Sequence, residues 1–145
     1  MENQLLINKL MTSLARMYDM EAFSHLAEFL QGELHILHYL SQNSHSEINP
    51  SVLSDKLHVS RSRITAALST LRKKGYVTME MSENDRRRMK VSLTSDGEAF
   101  IRGKQEEVVR YFDVLVDGLG EGNVLDMIRL IELSVGIMDN EENKR

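Results

Sequence analysis

Residues 50–77 decide the fold, and they read PSVLSDKLHVSRSRITAALSTLRKKGYV. A first helix begins at Asn49 and Pro50, because asparagine caps helices and proline is tolerated at the first helical position. After a short turn, Ser60 caps a second helix by accepting hydrogen bonds from its free amides. Gly75 ends that helix, since glycine adopts the left-handed conformation found at helix ends. Two helices joined by a turn of about three or four residues predict a helix-turn-helix.

A small apolar core is expected to fix the angle between these two helices. Its members recur at helical spacing along the two segments: Leu53, Leu57, Val59, Ile64 and Leu68. Ser54 supplies a small side chain where the second helix has to come close. The opposite face of the second helix is therefore predicted to face solvent.

The outer face of the second helix carries short hydrogen-bond donors and long cations, with no acidic residue among them. Such side chains suit phosphate groups and base edges, and the free amides at the helix start attract anions. The candidate nucleic-acid contacts on this helix are Ser60, Arg61, Ser62, Arg63, Thr65, Ser69, Arg72 and Lys73.

A β-hairpin is predicted after the second helix. Two alternating segments, residues 76–81 and 89–93, flank a charged stretch, which is the pattern of two paired strands and their loop. The candidate contacts in that loop are Asp85, Arg86, Arg87 and Arg88. The three arginines form either a nucleic-acid contact or a solvated hairpin tip.

The charge is distributed unevenly along the chain, which carries a formal net charge of −4. Residues 60–91 hold nine basic and three acidic residues, a net charge of +6, so the other 113 residues carry −10. A basic block on an acidic chain is typical of a local nucleic-acid footprint. Charge alone fits a solvated charged face equally well.

Helices are predicted for most of the remaining chain. We expect a first helix with Leu6, Leu10, Leu14 and Met17 on one face, then helices over about residues 28–41, 95–118 and 123–138. Ser95 and Glu98 fit a capping box at the start of the long helix after the hairpin. The charged tail, residues 139–145, is expected to fray.

The last helix has more apolar residues than one core-facing side requires. A helix that is apolar most of the way round is either fully buried or shared between a core and a partner, and a chain of 145 residues has little room to bury a terminal helix completely. We therefore expect a homodimer formed by the chain ends; the alternative is a peripheral helix with scattered exposed apolar residues. The candidate interface residues are Leu6, Leu10, Ile128, Ile131, Val135 and Met138.

Residues 52–77 and 85–97 together match a known pattern. The second stretch contains Asp-x-Arg and then a strand ending in Leu-Thr-x-x-Gly, formed here by Asp85, Arg87, Leu93, Thr94 and Gly97. With the helix-turn-helix ahead of this wing, the sequence resembles the MarR family of bacterial transcription regulators.

The resemblance implies a mainly α (α+β) protein with one domain over residues 1–145. The winged helix-turn-helix would span about residues 30–95, with dimerisation helices over about 1–20 and 95–140. It also implies a homodimer that binds palindromic operators in double-stranded DNA, with repression expected and activation as the alternative. By position, Arg87 would reach into the minor groove, and Asp85 would hold its guanidinium in place.

Regulators of this family usually answer a small ligand, often phenolic or anionic, bound between the dimer base and the winged domain. The candidate pocket residues are Met17, Phe23, His35, His38, Tyr39, Tyr111 and Phe112. A metal signal is the alternative, because His35 and His38 are three residues apart on one helix and His25 lies nearby in sequence. The long helix after the wing has no histidine, so we expect neither a metal nor a cofactor. The absence of cysteine excludes thiol redox sensing and Cys-type zinc sites.

Other classes of protein fit the sequence less well. No Gly-rich phosphate loop, HExxH, GxSxG or paired-carboxylate motif is present, so an enzyme is not expected. A winged domain that binds proteins would expose apolar or acidic residues on the reading face, where this chain has Arg, Ser and Thr. The longest apolar stretch, residues 124–138, is interrupted by three charges, and no cationic signal segment opens the chain. We expect a cytoplasmic protein that does not contact a membrane.

Overall fold

The computed structural model describes residues 2–83 and 87–144. Within these ranges seven helices and one hairpin follow each other as α1 (Asn3–Tyr18), α2 (Glu21–Glu28), α3 (Gly32–Gln42), α4 (Pro50–Leu57), α5 (Arg61–Lys73), β1 (Val77–Met81), β2 (Met89–Leu93), α6 (Ser95–Leu119) and α7 (Glu121–Asn143). The chain divides into two compact units, one up to Val108 and one from Val109 onward. The mainly helical class with a winged helix-turn-helix is confirmed. The single-domain organisation with dimerisation helices stays a prediction.

Local signals place α4 and α5 as predicted. The Asn49 side chain accepts a hydrogen bond from the Val52 amide at 3.0 Å, with Pro50 at the first helical position. The Ser60 hydroxyl accepts from the Arg63 amide at 3.3 Å and caps α5. Gly75 follows α5 with a φ of +81°, the left-handed conformation that glycine adopts without strain.

The turn between α4 and α5 is held from within. His58 ends α4 in the left-handed conformation, with a φ of 55°. The Ser54 hydroxyl donates a hydrogen bond to the Val59 carbonyl oxygen at 2.6 Å. Ser54 therefore does more than leave space for α5, because its hydroxyl fixes the backbone that leads into that helix.

The first unit has one apolar core, to which α3, α4, α5, both strands and the start of α6 contribute. Its buried members are Phe29, Ile36, Leu37, Leu40, Ile48, Leu53, Leu57, Ile64, Leu68, Leu71, Val77, Val91 and Ile101. Four of the five predicted helix-turn-helix core residues are buried, and Val59 packs against them from the edge. This shared core holds α5 in place through the buried side of the helix, which carries Ile64, Leu68 and Leu71.

The two strands form an antiparallel hairpin in which Val77 lies opposite Leu93 and Met81 lies opposite Met89. Val77 and Val91 are buried. The Val91 amide also donates a hydrogen bond to the Ile48 carbonyl oxygen at 2.7 Å, which attaches the segment before α4 to β2.

The predicted helix over about residues 28–41 is wrong in its first part. The chain has two helices here, α2 and α3, and α2 was not predicted at all. Gly32 has a φ of +61°, which a continuous right-handed helix does not allow. Leu30 lies in the break and is 60% exposed, whereas Ile36 in α3 is buried.

Two further expectations about helix ends are wrong. The residue that caps α6 is Thr94, whose hydroxyl accepts from the Gly97 amide at 3.0 Å. Glu98 therefore completes no capping box with Ser95, and its carboxylate accepts from Arg102 at 2.9 Å. Helix α7 also continues to Asn143, past the predicted end at about residue 138. The fraying of the tail stays a prediction.

Among the residues that the structure describes, no helix is long and apolar enough to cross a membrane.

Candidate nucleic-acid interface

Helix α5 has one buried face and one polar face. Ile64, Leu68 and Leu71 are buried. On the rest of the helix, the predicted contact residues Arg61, Ser62, Arg63, Thr65, Arg72 and Lys73 are exposed, and Ser69 is half-buried. A helix seated by one face presents the other as a rigid surface, which suits the reading of a groove.

The start of α5 is tied to the start of α4. The Arg61 guanidinium donates a hydrogen bond to the Ser51 hydroxyl in the first turn of α4. The hydroxyls of Ser60 and Ser62 lie 3.3 Å apart at the start of α5. Donors from both helices therefore meet at one place, and sequence reasoning missed Ser51 because it precedes Arg61 by ten residues.

The basic residue at the other end of α5 has a structural partner. The Lys74 Nζ atom lies 2.8 Å from a Glu33 carboxylate oxygen at the start of α3. This hydrogen bond, and then the negative charge of Glu33, raise the pKa of Lys74. The ion pair links the end of α5 to α3, so Lys74 has a structural contact within the protein.

The wing brings two of its arginines to the surface. Arg87 and Arg88 are exposed in the turn that leads into β2. The Ser82 amide donates to the Arg88 carbonyl oxygen at 2.9 Å, which closes the hairpin next to β1 and β2. The predicted contacts Asp85 and Arg86 lie outside the described residues. Ser60 to Lys73 and Arg87 to Arg88 thus form the candidate interface.

The predicted pocket residues lie at several places. Phe23 contacts Tyr18 with ring centroids 5.5 Å apart, Met17 is half-buried in α1, and Tyr39 packs against the core of the first unit. Tyr111 and Phe112 are half-buried in the second unit. The pocket therefore stays a prediction.

His38 joins α3 to α6. Its ring meets the Phe29 ring edge-on, with centroids 5.4 Å apart. Its Nδ1 atom lies 3.0 Å from the Gln105 side-chain amide, which also donates to the Ser41 hydroxyl at 3.2 Å. These contacts explain the half-buried position of His38 without a ligand.

His35 lines a groove of about 980 Å³ between the start of α3 and the helices α4 and α5, together with Leu57, Arg63 and Ile64. Of the seven predicted pocket residues, His35 alone lines this groove. Burial, and then the charge of His38, lower the pKa of His35. The neutral imidazole is therefore favoured.

The histidines proposed as an alternative metal site do not assemble. The His25 Nε2 atom lies 3.9 Å from a Glu21 carboxylate oxygen, one turn away on α2. Among residues 2–83 and 87–144, no three His, Asp or Glu side chains are grouped so that they could hold a metal ion.

The terminal helices expose the residues predicted for the dimer interface. No residue of α1 or α7 is buried. About half of each candidate side chain is accessible: Leu6, Leu10, Ile128, Ile131, Val135 and Met138. Other large apolar side chains on the same helices are exposed too, including Met11, Leu14, Leu130, Leu133 and Ile137.

A family model described as winged helix DNA-binding domain matches residues 33–111, which is more than half of the chain. The chain belongs to the winged helix DNA-binding domain family. The matched range includes α3, α4, α5, the hairpin and the first part of α6, which are the elements that carry the candidate interface.

Curated winged helix relatives are transcription regulators. The HTH-type transcriptional regulator PapX of Escherichia coli is 40% identical over 67 residues, which are 46% of this chain and 41% of PapX. The transcriptional repressor MprA of Escherichia coli is 42% identical over 62 residues, 43% of this chain and 35% of MprA. The chain thus matches less than half the length of these relatives.

Solved structures of regulators resemble nearly all of the chain. A mutant of MepR from S. aureus has a TM-score of 0.70 at 16% identity and covers 95% of this chain and 99% of that chain. Another MepR mutant, bound to an oligodeoxyribonucleotide, has a TM-score of 0.62 at 16% identity. The match covers 91% of this chain and 97% of the MepR chain. A MarR protein from Peptoclostridium difficile has a TM-score of 0.64 at 21% identity, and the match covers 97% of this chain and 91% of the MarR chain. The MarR-type fold predicted from the sequence is confirmed, and the relatives are regulators rather than enzymes.

Proposed function

We propose that this chain regulates transcription by binding double-stranded DNA at palindromic operators as a homodimer. The observation that carries the proposal is the polar face of α5, which has no acidic residue and lies opposite a buried face. Arg87 and Arg88 of the wing are exposed as well. Short hydroxyls and cations on a seated helix supply both base-edge donors and phosphate partners. The MepR structure with a bound oligodeoxyribonucleotide supports the same role for the shared fold.

In this proposal α5 enters the major groove and the wing reaches the neighbouring minor groove. Ser62, Thr65 and Ser69 face base edges, while Arg61, Arg72 and Lys73 meet phosphates. Arg87 enters the minor groove, which attracts arginine most where A·T-rich sequence narrows it. The predicted partner of its guanidinium is Asp85.

The exposed apolar faces of α1 and α7 support the homodimer. Two copies related by a two-fold axis present two α5 helices, so the operator repeats with the same symmetry. Half-sites read by adjacent major grooves lie one helical turn apart, about 10–10.5 base pairs centre to centre.

Selection of duplexes from a random-sequence library tests the DNA proposal directly. The protein is expected to enrich a palindrome whose half-sites have this spacing. If six to ten phosphates are contacted, affinity for the selected duplex falls by about 10³–10⁵ between 50 and 200 mM salt. Failure to enrich any sequence, or binding that salt does not weaken, would contradict DNA recognition.

Repression under the control of a small-molecule effector completes the proposal. MprA, a transcriptional repressor, supports the direction of control. An effector that favours a dimer with mismatched α5 spacing lowers operator affinity by linkage. Titration of the selected duplex in the presence of phenolic and anionic compounds tests this step, and unchanged affinity across the panel would count against it. A protein that acts on chromosomal DNA in a bacterium works in the cytoplasm.

A further inference from the structure

Three consecutive residues before α4 join the wing to the helix-turn-helix. Asn49 caps α4 with its side chain. The Ile48 carbonyl oxygen accepts from the Val91 amide in β2 at 2.7 Å. The Glu47 carboxylate accepts a hydrogen bond from the Ser82 hydroxyl directly after β1. One short segment therefore contacts β2, the residue that follows β1, and the first helix of the reading motif.

Ser82 is the point where this segment meets the base of the wing loop. It is 4% exposed, so its hydroxyl requires a partner inside the protein. Its amide donates to the Arg88 carbonyl oxygen at 2.9 Å. The same residue is thus hydrogen-bonded to Arg88 through its backbone and to Glu47 through its side chain.

We infer that Glu47 is a positioning residue for DNA binding, which acts by holding Ser82 and thereby setting the direction of the wing arginines relative to α5. This inference rests on the proposed function. Without the Glu47 contact the strands stay paired, but the hairpin moves more freely about its base. Arg87 then has to be ordered when DNA binds, and that ordering reduces the affinity.

Whether Glu47→Ala binds DNA more tightly or more weakly distinguishes a positioning role of Glu47 from an effect of its negative charge. Removal of a carboxylate reduces repulsion of DNA phosphates, so charge alone predicts tighter binding by Glu47→Ala. Positioning predicts weaker binding, by about fivefold, the size expected for one lost hydrogen bond. Ser82→Ala breaks the same contact without changing charge and is expected to weaken binding equally. Glu47→Gln keeps an oxygen acceptor and is expected to restore wild-type affinity or better.

A double-mutant cycle with Arg87→Ala gives the decisive readout. The probe is the palindromic duplex selected by the wild-type protein, and affinity is measured by fluorescence anisotropy. The fold-loss of duplex affinity caused by Arg87→Ala should be at least twofold smaller in the Glu47→Ala background than in the wild type. Without the Glu47 contact Arg87 is less well positioned, so it already contributes less to binding. Glu80→Ala, which removes a carboxylate from the exposed side of β1, is the control and should leave the cost of Arg87→Ala unchanged.

Each result decides the inference. Equal costs of Arg87→Ala in both backgrounds, or wild-type affinity of both Glu47→Ala and Ser82→Ala, overturn the positioning role while the proposed function stands. If the wild type selects no duplex, the proposed function and this inference both fail. Thermal unfolding is recorded for every variant. If Ser82→Ala does not fold, the affinities of Glu47→Ala and Glu47→Gln test the positioning role, since Glu47 is exposed and its substitution leaves the core intact.

Discussion

Arg87 is the residue on which the wing proposal depends most directly. It is exposed at the wing tip. Arg87→Ala is expected to weaken binding of the selected duplex by about 1–3 kcal/mol, the range for one specific arginine contact. Arg102→Ala, which removes an exposed arginine from the α6 surface, is the matched control and should change affinity little. If Arg87→Ala lowers the unfolding temperature markedly, the arginine is structural and its role in DNA binding is refuted.

Thr94 performs the capping role that the sequence assigned to Ser95. Its hydroxyl accepts from the Gly97 amide at 3.0 Å and donates to the Gly75 carbonyl oxygen. Thr94→Ala should therefore lower the free energy of unfolding by about 0.5–2 kcal/mol, the range for a lost helix cap. Ser95→Ala should be close to neutral. Urea denaturation of both variants makes the comparison, and a larger loss for Ser95→Ala would show that the cap is assigned to the wrong residue.

At the scale of elements, the start of α6 lies directly on the backbone that follows α5. A Cβ atom on Gly97 would stand 2.1 Å from the Tyr76 carbonyl oxygen, and the Tyr76 and Phe100 rings stack nearby with centroids 4.6 Å apart. Gly97→Ala should therefore destabilise the protein by about 1–3 kcal/mol, as overpacking does. Gly103→Ala, on the same helix with open space around it, should stabilise it by about 0.5–1 kcal/mol. Unfolding temperatures of the two variants that both lie above, or both below, that of the wild type would contradict the close approach of Gly97 to the Tyr76 carbonyl oxygen.

At the scale of the whole molecule, the apolar faces of the terminal helices predict a dimer. Ile131 is half exposed at the middle of the predicted α7 seam. Ile131→Glu should raise the dimer dissociation constant at least about tenfold, and it should weaken operator binding because two half-sites are no longer bound together. Sedimentation across a dilution series measures the first effect, with Glu132→Gln as the control. An unchanged dissociation constant would place the interface elsewhere.

The helix-turn-helix was predictable because its signals are local. The caps at Asn49 and Ser60, the glycine after α5 and the apolar spacing all lie within a single stretch of sequence. The two caps mark where α4 and α5 begin, and the glycine marks where α5 ends. The same spacing predicted which residues of α5 face solvent. The division between α2 and α3 was not predictable in this way, since it depends on which apolar residues the core buries.

The contacts that position the site were missed for a common reason. Glu33 pairs with Lys74 across 41 positions, and Ser82 meets Glu47 across 35. Such pairs leave no periodic pattern, because only the folded core brings them together. The choice between Thr94 and Ser95 is similar, since the Gly75 carbonyl that Thr94 also contacts lies 19 positions earlier.

The base of the hairpin is closed twice by one residue. The Thr94 amide donates to the Tyr76 carbonyl oxygen at 3.1 Å, and its hydroxyl reaches Gly75. Residues 77–93 therefore leave and rejoin the chain at adjoining points and form a cassette. If the proposed function holds, a wing of different length or composition placed between those points is expected to alter operator preference, provided that the donor segment carries a hydroxyl where it meets Glu47.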